Sequence, residues 1–195
     1  MTYTKKLTFE DYLALPDTGL EERAELIDGE LVELPPESGI NLNIAALVYI
    51  ALVNVGIPYF LVQMGRCEVQ TPVLEPGDAV NRYPDVVVLQ PEHQALTRQR
   101  MTITLEMPPP RWVMEVVRPG KLNRERDYLR KRSQYAAVGI PEYWIVDPEE
   151  AVVLVLRLEN GRYREAGRYQ GNQRVGSPIF PELNLTAEQI FTAGQ

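Results

Sequence analysis

Two acidic residues stand alone in apolar stretches of this chain. Asp85 directly precedes three consecutive valines, and Glu115 lies inside the apolar run 112–117. Both runs have the β-branched composition that is typical of buried strands. An ionised carboxylate is seldom buried alone, because removing it from water costs too much without a partner. The pattern therefore predicts two strands whose acids converge on a cation.

The chain's composition restricts what that cation can be. Cys67 is the only cysteine and His93 the only histidine, which excludes an intrachain disulfide, a Cys/His zinc site and a Cys–His catalytic pair. The remaining ligands are oxygens, and these favour Mg²⁺ or Mn²⁺. We expect His93, which lies among polar residues, to be solvated, and Cys67 to pack as a small apolar side chain.

Length and composition indicate one globular domain over residues 1–195, with 45% apolar and 24% charged residues. No apolar stretch is long enough to cross a bilayer, and no apolar signal core follows the N-terminus. We therefore expect a cytoplasmic protein that does not contact membranes.

The net charge of −7 argues against non-specific nucleic-acid binding over the whole surface.

The charge is unevenly distributed along the chain. Residues 118–132 contain seven Lys or Arg and only two acids. A basic segment beside an acidic pocket suits a polyanionic substrate, and a solvated helix face explains it equally well.

The elements that must position the two acids can be located from local signals. Thr8 and Asp11 form a capping box for a first helix, and Asp28-Gly29 predicts a hairpin turn. Apolar periodicity predicts helices over 41–54 and 122–138, with a further helix after Thr186. Strands are expected at 59–63, 66–70, 142–148, 151–158 and 163–169. This order predicts an α/β fold with a mixed sheet and one helix between the strands of Glu115 and Asp147.

The two acids also belong to a larger ordered set of motifs. Pro84-Asp85 followed by residues 115–117 (Glu-Val-Val) resembles the PD-(D/E)XK nuclease superfamily. The wider set resembles the Uma-two family of restriction-endonuclease-like proteins, across about residues 7–170. Its segments are 25–32, 35–38, 84–88, 115–121, 127–135 and 139–148. The resemblance implies a restriction-endonuclease-like mixed β-sheet core flanked by helices, with an N-terminal helix and hairpin.

The same resemblance implies an activity and a set of roles. The protein is expected to hydrolyse DNA phosphodiester bonds with Mg²⁺ or Mn²⁺, and to act as a homodimer. Asp85 and Glu115 would be metal ligands together with the main-chain carbonyl of Val116. Glu25 would be the accessory acid.

The position of the catalytic lysine departs from the superfamily pattern. The superfamily's lysine comes two residues after the glutamate, where this chain has Val117. The resemblance to the Uma-two family implies a lysine on the following helix, and the matching residue here is Lys131. It lies three residues after Tyr128 and four before Tyr135, so it shares a side with two aromatic rings. Lys131 is the candidate and Lys121 its competitor. Lys121 and Arg124 are also expected to contact nucleic acid.

An alternative interpretation follows from the departures. Many relatives have a histidine at the start of the helix after the 35–38 segment, and residues 39–43 contain none. Together with Val117 and the acidic surface, this absence supports the alternative that the protein is a catalytically weak or inactive nuclease-fold module. Such a module would bind nucleic acid or a protein partner. Structural roles are expected for three further groups. Asp127 should pair with Lys131, Asp147 should end its strand, and Tyr143 and Trp144 should lie in the core.

Overall fold

The computed structural model describes residues 6–15 and 23–193. The helices are α1 (Phe9–Leu13), α2 (Gly39–Asn54), α3 (His93–Leu96), α4 (Lys121–Glu125), α5 (Arg132–Val138) and α6 (Ala187–Phe191). A 3₁₀ turn spans Tyr59–Leu61, and a π-helical stretch, Arg126–Lys131, joins α4 to α5 without a break. The strands are β1 (Ala24–Ile27), β2 (Glu30–Glu33), β3 (Val62–Met64), β4 (Glu68–Gln70), β5 (Asn81–Arg82), β6 (Val86–Val88), β7 (Thr102–Ile103), β8 (Trp112–Val116), β9 (Glu142–Asp147), β10 (Val152–Glu159) and β11 (Arg162–Tyr169).

A six-stranded mixed sheet forms the centre of the fold, in the order β11-β10-β9-β8-β6-β3. Strands β8 and β9 are parallel, and the other neighbouring pairs in this sheet are antiparallel. Parallel neighbours require a crossover, which the continuous helix from α4 to α5 supplies. The predicted α/β class, with a mixed sheet and a helix between the strands of Glu115 and Asp147, is confirmed.

The N-terminal helix and hairpin form through the local signals that the sequence carries. Thr8 and Asp11 make a reciprocal capping box at α1. Asp28 and Gly29 join β1 to β2 with φ angles of 51° and 82°, a left-handed conformation that suits this pair. The main-chain N–H of Leu7 donates to the carbonyl of Gly29 at 3.0 Å, which ties the α1 segment to the hairpin.

The region between β3 and β8 is more structured than the sequence indicated. The strand expected at 66–70 is present as β4, but its partners in a three-stranded sheet of order β5-β4-β7 were missed, as was the short helix α3. The expectation that His93 is solvated is wrong, since its side chain is fully buried. Its Nδ1 accepts from the N–H of Gln90 at 3.0 Å, and its Nε2 lies 2.8 Å from the carbonyl of Pro108.

Aromatic side chains fix the crossover helix against the sheet. The rings of Tyr135 on α5 and Tyr143 on β9 meet edge to face, with centroids 5.2 Å apart. Trp112 and Trp144 pack in the same manner at 5.3 Å. Tyr143, Trp144 and Cys67 are fully buried, as predicted. No helix in the described ranges is long and apolar enough to cross a bilayer.

Candidate active site

Asp85 and Glu115 face each other at one end of the central sheet. Strands β6 and β8 are antiparallel with Val86 opposite Met114, so the next pair in register is Asp85 and Glu115. The N–H of Val116 donates to Oδ2 of Asp85 at 2.6 Å, which fixes the aspartate across the strand pair. Both acids are buried, with exposed fractions of 8% and 3%. The structure thus brings together the two acids on which the sequence analysis began.

Both oxygens of Glu115 are engaged by the crossover helix. The ammonium of Lys131 lies 2.7 Å from Oε2, and the hydroxyl of Tyr135 donates to Oε1 at 2.6 Å. Lys131 also lies 2.9 Å from Oδ1 of Asp127, the i,i+4 pairing that the sequence predicted. Lys121, the competing lysine, has a side chain that is 88% exposed and pairs with Glu125 at 3.8 Å. Of the two lysines, Lys131 is therefore the one that contacts Glu115.

The π-helical stretch determines this arrangement. Asp127 and Lys131 both lie within it, and Tyr135 follows one turn later on α5. Single π-helical turns inside α-helices occur often at functional sites. The second oxygen of Asp127, Oδ2, is buried and has no hydrogen-bond partner among the described residues. Its charge is balanced by Lys131 and by Arg126, whose Nε lies 3.2 Å from Oδ1.

Burial and charge set the protonation states of this cluster. Burial, followed by the nearby charge of Glu115, raises the pKa of Asp85 to about 8, although Lys131 opposes the shift. Burial also raises the pKa of Glu115 against the opposing charge of Lys131. For Lys131, burial favours the neutral form, but Asp127 and Glu115 outweigh it and the pKa is raised. Lys131 is therefore a cation at neutral pH.

The state of Asp127 follows from the same balance. Burial alone would raise the pKa of this carboxyl, but Lys131 and Arg126 outweigh the effect and lower it. Asp127 is therefore ionised. It contributes a fixed negative charge that holds the Lys131 ammonium beside Glu115.

Glu25 reaches the same region from the first hairpin but is held by a different partner. Its Oε2 lies 2.8 Å from Nη1 of Arg82, and both side chains are buried. Gln134 on α5 accepts from two nitrogens of Arg82, at 2.9 and 2.8 Å. Glu25 therefore lines the site as half of a buried ion pair.

A small pocket collects these side chains. Four acids and four bases contribute to its lining, namely Glu25, Glu37, Asp85, Glu115, Arg23, Arg118, Arg126 and Lys131. Among the described residues, no three His, Cys, Asp or Glu side chains lie close enough together to hold a metal. The available donors are the two carboxylates of Asp85 and Glu115 and the carbonyl of Val116. Mg²⁺ is commonly bound by one or two carboxylates, with waters and substrate phosphate completing its shell, so this donor set fits it.

Two residues that the sequence analysis did not assign also reach the site. The amide of Asn41, near the start of α2, lies 3.4 Å from the carbonyl of Val116 and 3.4 Å from Oε2 of Glu37. Glu37 in turn binds Arg118 and, at 3.5 Å, Arg23. No sequence signal singled out Asn41, because the same helix also contains Asn43 and Asn54. Nothing in the sequence pattern pointed to Glu37 as the partner of two arginines.

Arg124 and Asp147 lie together away from the pocket. Asp147 is the last residue of β9, as predicted, and is fully buried. It accepts from the hydroxyl of Tyr128 at 3.0 Å and pairs with Arg124 at 2.9 Å. Arg124 also lies 3.5 Å from Glu150. These intramolecular pairs occupy the arginine for which the sequence suggested a contact with nucleic acid.

Comparison with known proteins agrees with the fold. A family model described as "Uma2: Putative restriction endonuclease" matches residues 9–188. No curated protein matches the chain. Among solved structures, the chain is similar to a crystal structure from Anabaena variabilis ATCC 29413, described as "a putative nuclease belonging to DUF820". The TM-score is 0.64 at 20% identity, over 95% of this chain and 98% of that chain. At this identity the likeness shows the fold.

Proposed function

The chain belongs to the Uma2 family, and from that premise we propose that it is a Mg²⁺- or Mn²⁺-dependent endonuclease that hydrolyses DNA phosphodiester bonds. One observation carries the proposal. A protonated lysine from the crossover helix lies 2.7 Å from Glu115, and Glu115 stands opposite a second buried acid, Asp85. Acids, carbonyl and lysine together match the needs of phosphodiester hydrolysis.

The roles follow from the contacts. Asp85, Glu115 and the carbonyl of Val116 would hold the metal ion. Mg²⁺, when bound, neutralises charge on the phosphate and lowers the pKa of a coordinated water. The raised pKa of Asp85, about 8, shows that the metal-free protein does not compensate the negative charge of its ionised form. A cation at this position would relieve that imbalance.

Lys131 acts as a cation and not as a base. Its raised pKa keeps it protonated at neutral pH in the metal-free protein, which favours a role as a cation over a role as a base. A protonated lysine can orient that water and bind a phosphate oxygen as a point charge. Tyr135 positions Glu115 through its 2.6 Å hydrogen bond, and Glu25, which lines the pocket and pairs with Arg82, would be the accessory acid.

The test is a nicking assay on supercoiled plasmid with Mg²⁺ or Mn²⁺, and with EDTA as the metal-free reference. We expect nicking by the wild type and loss of at least about a hundredfold in rate for Glu115→Gln and Lys131→Met. The matched controls are Glu106→Gln and Lys6→Met, which change an exposed residue of the same type. Both controls should cleave at the wild-type rate.

Metal binding is measured separately from cleavage. Mg²⁺ or Mn²⁺ should raise the melting temperature of the wild type and of Glu106→Gln, and should raise it far less in Glu115→Gln. A wild type that neither nicks DNA nor responds to either metal would refute the enzyme proposal.

A nuclease-fold module without catalytic activity is the second candidate. The favouring observation is that both Glu115 oxygens are already engaged, by Lys131 and by Tyr135. Such a module would bind nucleic acid or a protein partner. It would give no nicking with either metal, and Glu115→Gln would bind its partner as well as the wild type.

The remaining expectations stay predictions. DNA as the substrate, the homodimer, the cytoplasmic location and the contacts of Lys121 and Arg124 with nucleic acid all follow from sequence and resemblance. For Arg124, the ion pair with Asp147 would have to open before it could bind a phosphate.

A further inference from the structure

A cleft of about 480 Å³ opens directly onto the candidate site. The cleft and the small pocket share four lining residues, Arg23, Leu34, Glu37 and Asp85. A molecule lying in the cleft would therefore end at Asp85. This continuity makes the cleft the place where the part of the substrate next to the reacting phosphate would lie.

The two walls of the cleft are preformed. On one side lie Pro35 and Pro36, whose rings restrict the backbone, and the first turns of α2. On the other side is the turn at Gly65, which has a φ of 63°. Its N–H donates to the carbonyl of Asp85 at 2.9 Å, and its carbonyl accepts from Arg23 at 2.9 Å. These bonds hold the turn in register with the site.

The lining combines apolar side chains with two arginines, Arg23 and Arg66, and two acids, Glu37 and Asp85. Leu42 and Met64 are large apolar side chains with exposed fractions of 47% and 40%, and both face the cleft together with the two prolines. Arg66 is exposed, lines the cleft and forms no ion pair with any described residue. Apolar walls with a few polar groups, in a volume of this size, are typical of sites for small organic molecules.

We propose that this cleft binds an unpaired nucleotide of DNA next to the scissile phosphate, so that the enzyme acts on single-stranded or locally unpaired DNA. This inference rests on the proposed function, because it is the proposed function that assigns DNA to this site. A base inside a duplex cannot enter a concave cleft, whereas an unpaired base can pack on Leu42 and Met64. Arg66 then provides a guanidinium for an adjacent phosphate.

The test measures binding with cleavage suppressed. Glu115→Gln protein is titrated into a fluorescently labelled 12-nucleotide single strand, into the same strand as a duplex, and into the strand with an abasic nucleotide at successive positions. We expect the single strand to bind at least about tenfold more tightly than the duplex. One abasic position should lower the affinity more than the others.

Variants of the lining identify the cleft as the binding site. Leu42→Asp and Arg66→Ala, each in the Glu115→Gln background, should weaken single-strand binding by about tenfold. Leu105→Asp is the matched control, because Leu105 has the same exposed fraction of 47% and lines neither the cleft nor the small pocket. Arg98→Ala is the control for Arg66, and both controls should bind like the parent.

The outcomes separate this inference from the proposed function. Single-strand preference that depends on Leu42 and Arg66 supports the inference even if the wild type cleaves nothing, a result that refutes only the enzyme proposal. Metal-dependent cleavage of duplex DNA that Leu42→Asp leaves unchanged supports the enzyme proposal and overturns the inference. Equal or tighter binding of the duplex, or no binding of either strand form, also overturns it.

Discussion

At the scale of single residues, the site is a chain of alternating charges buried at a sheet end. Asp127, Lys131 and Glu115 follow one another at distances of 2.9 and 2.7 Å, and Asp85 stands beyond Glu115. Buried charges are tolerated when each has a partner, and Lys131 is a partner to two carboxylates. Within residues 6–15 and 23–193, the N–H of Val116 is the one hydrogen-bond donor to the Asp85 side chain. The unequal compensation explains why its pKa is raised while that of Asp127 is lowered.

Replacement of Lys131 should therefore affect stability as well as activity. Lys131→Met removes the cation shared by Asp127 and Glu115, and we expect a loss of about 3 kcal/mol in the free energy of unfolding, measured by urea denaturation. This loss is near the lower end of the range for a broken buried ion pair, because Glu115 can become neutral by taking up a proton. Lys121→Met, on the exposed side of the same helix, should leave the free energy unchanged. Equal stability of the two variants would contradict the buried triad.

Asp85 should make the metal-free protein less stable as the pH rises. Its pKa is about 8 in the folded chain and 3.8 without the fold, so between these values the folded state binds more protons than the unfolded state. Stability from this group is complete below about pH 4 and is lost progressively as the pH rises to about 8. Asp85→Asn removes the titration and keeps an oxygen for the N–H of Val116.

The check is a set of thermal melts in EDTA from pH 4 to 9. The melting temperature of Asp85→Asn should exceed that of the wild type by a margin that grows up to about pH 8 and is then constant. Glu106→Gln, a change at an exposed carboxyl, serves as the control. A margin that does not vary with pH would show that the Asp85 charge is compensated within the protein.

How much of the site could be predicted depends on the kind of signal. Asp85 and Glu115 stood out because a lone acid in an apolar strand is costly, and Lys131 because the family resemblance implied a lysine on the following helix. Asn41 and Gln134 gave no comparable signal, since a buried amide is neutral and its partners lie 75 and 52 residues away. Contacts of that range depend on tertiary packing, which local patterns do not contain.

At the scale of elements, the crossover helix between β8 and β9 positions the side chains that contact Glu115. This helix ends at a single glycine. Gly139 follows α5 in the left-handed region with a φ of 91°, which turns the chain into β9. A Cβ there would meet its nearest atom, Cγ of Pro109, at 3.9 Å, an ordinary contact. A side chain at position 139 would therefore destabilise the fold through its left-handed backbone conformation and not through a steric clash.

We expect Gly139→Ala to lower the free energy of unfolding by about 1 kcal/mol, measured by urea denaturation. Gly39→Ala is the matched control. Gly39 is the first residue of α2, and a Cβ built there has nothing within 4 Å. Alanine favours the helix, so this control should be neutral or slightly more stable. A similar loss in both variants would rule out the left-handed conformation as the cause.

Long elements were predictable and short or irregular ones were not. The helix predicted over 122–138 is present as α4, the π-helical stretch and α5. The periodicity of its apolar residues does not indicate that the middle stretch is π-helical. Strands β5 and β7, which were missed, have two residues each, too short for an alternating pattern. Glu68 on the central strand β4 is buried and accepts hydrogen bonds from Asn81 and Thr102. Side-chain hydrogen bonds therefore help to stabilise the sheet β5-β4-β7, and apolar periodicity does not reveal them.

At the scale of the whole molecule, the outer side of α2 differs from the rest of the surface. The protein carries a net charge of −7, yet no residue from Gly39 to Asn54 is charged. Ile40, Leu47 and Ile50 share one side of this helix by their spacing, and Ile40 and Ile50 are 60% and 53% exposed. An all-round apolar helix is normally covered on every side. Two copies meeting here would bury apolar surface without opposing their negative charges.

We therefore expect the homodimer to form through the outer side of α2, and Ile50→Asp to break it. The variant places two like charges in the interface, so light scattering after size exclusion should show a monomer where the wild type is a dimer. Leu122→Asp alters a side chain that is 81% exposed on α4 and should remain dimeric. Because the interface has no charged pairs, the wild-type dimer should not weaken when the salt concentration is raised. A monomeric wild type, or an Ile50→Asp variant that still dimerises, would show that this face is not the contact between copies.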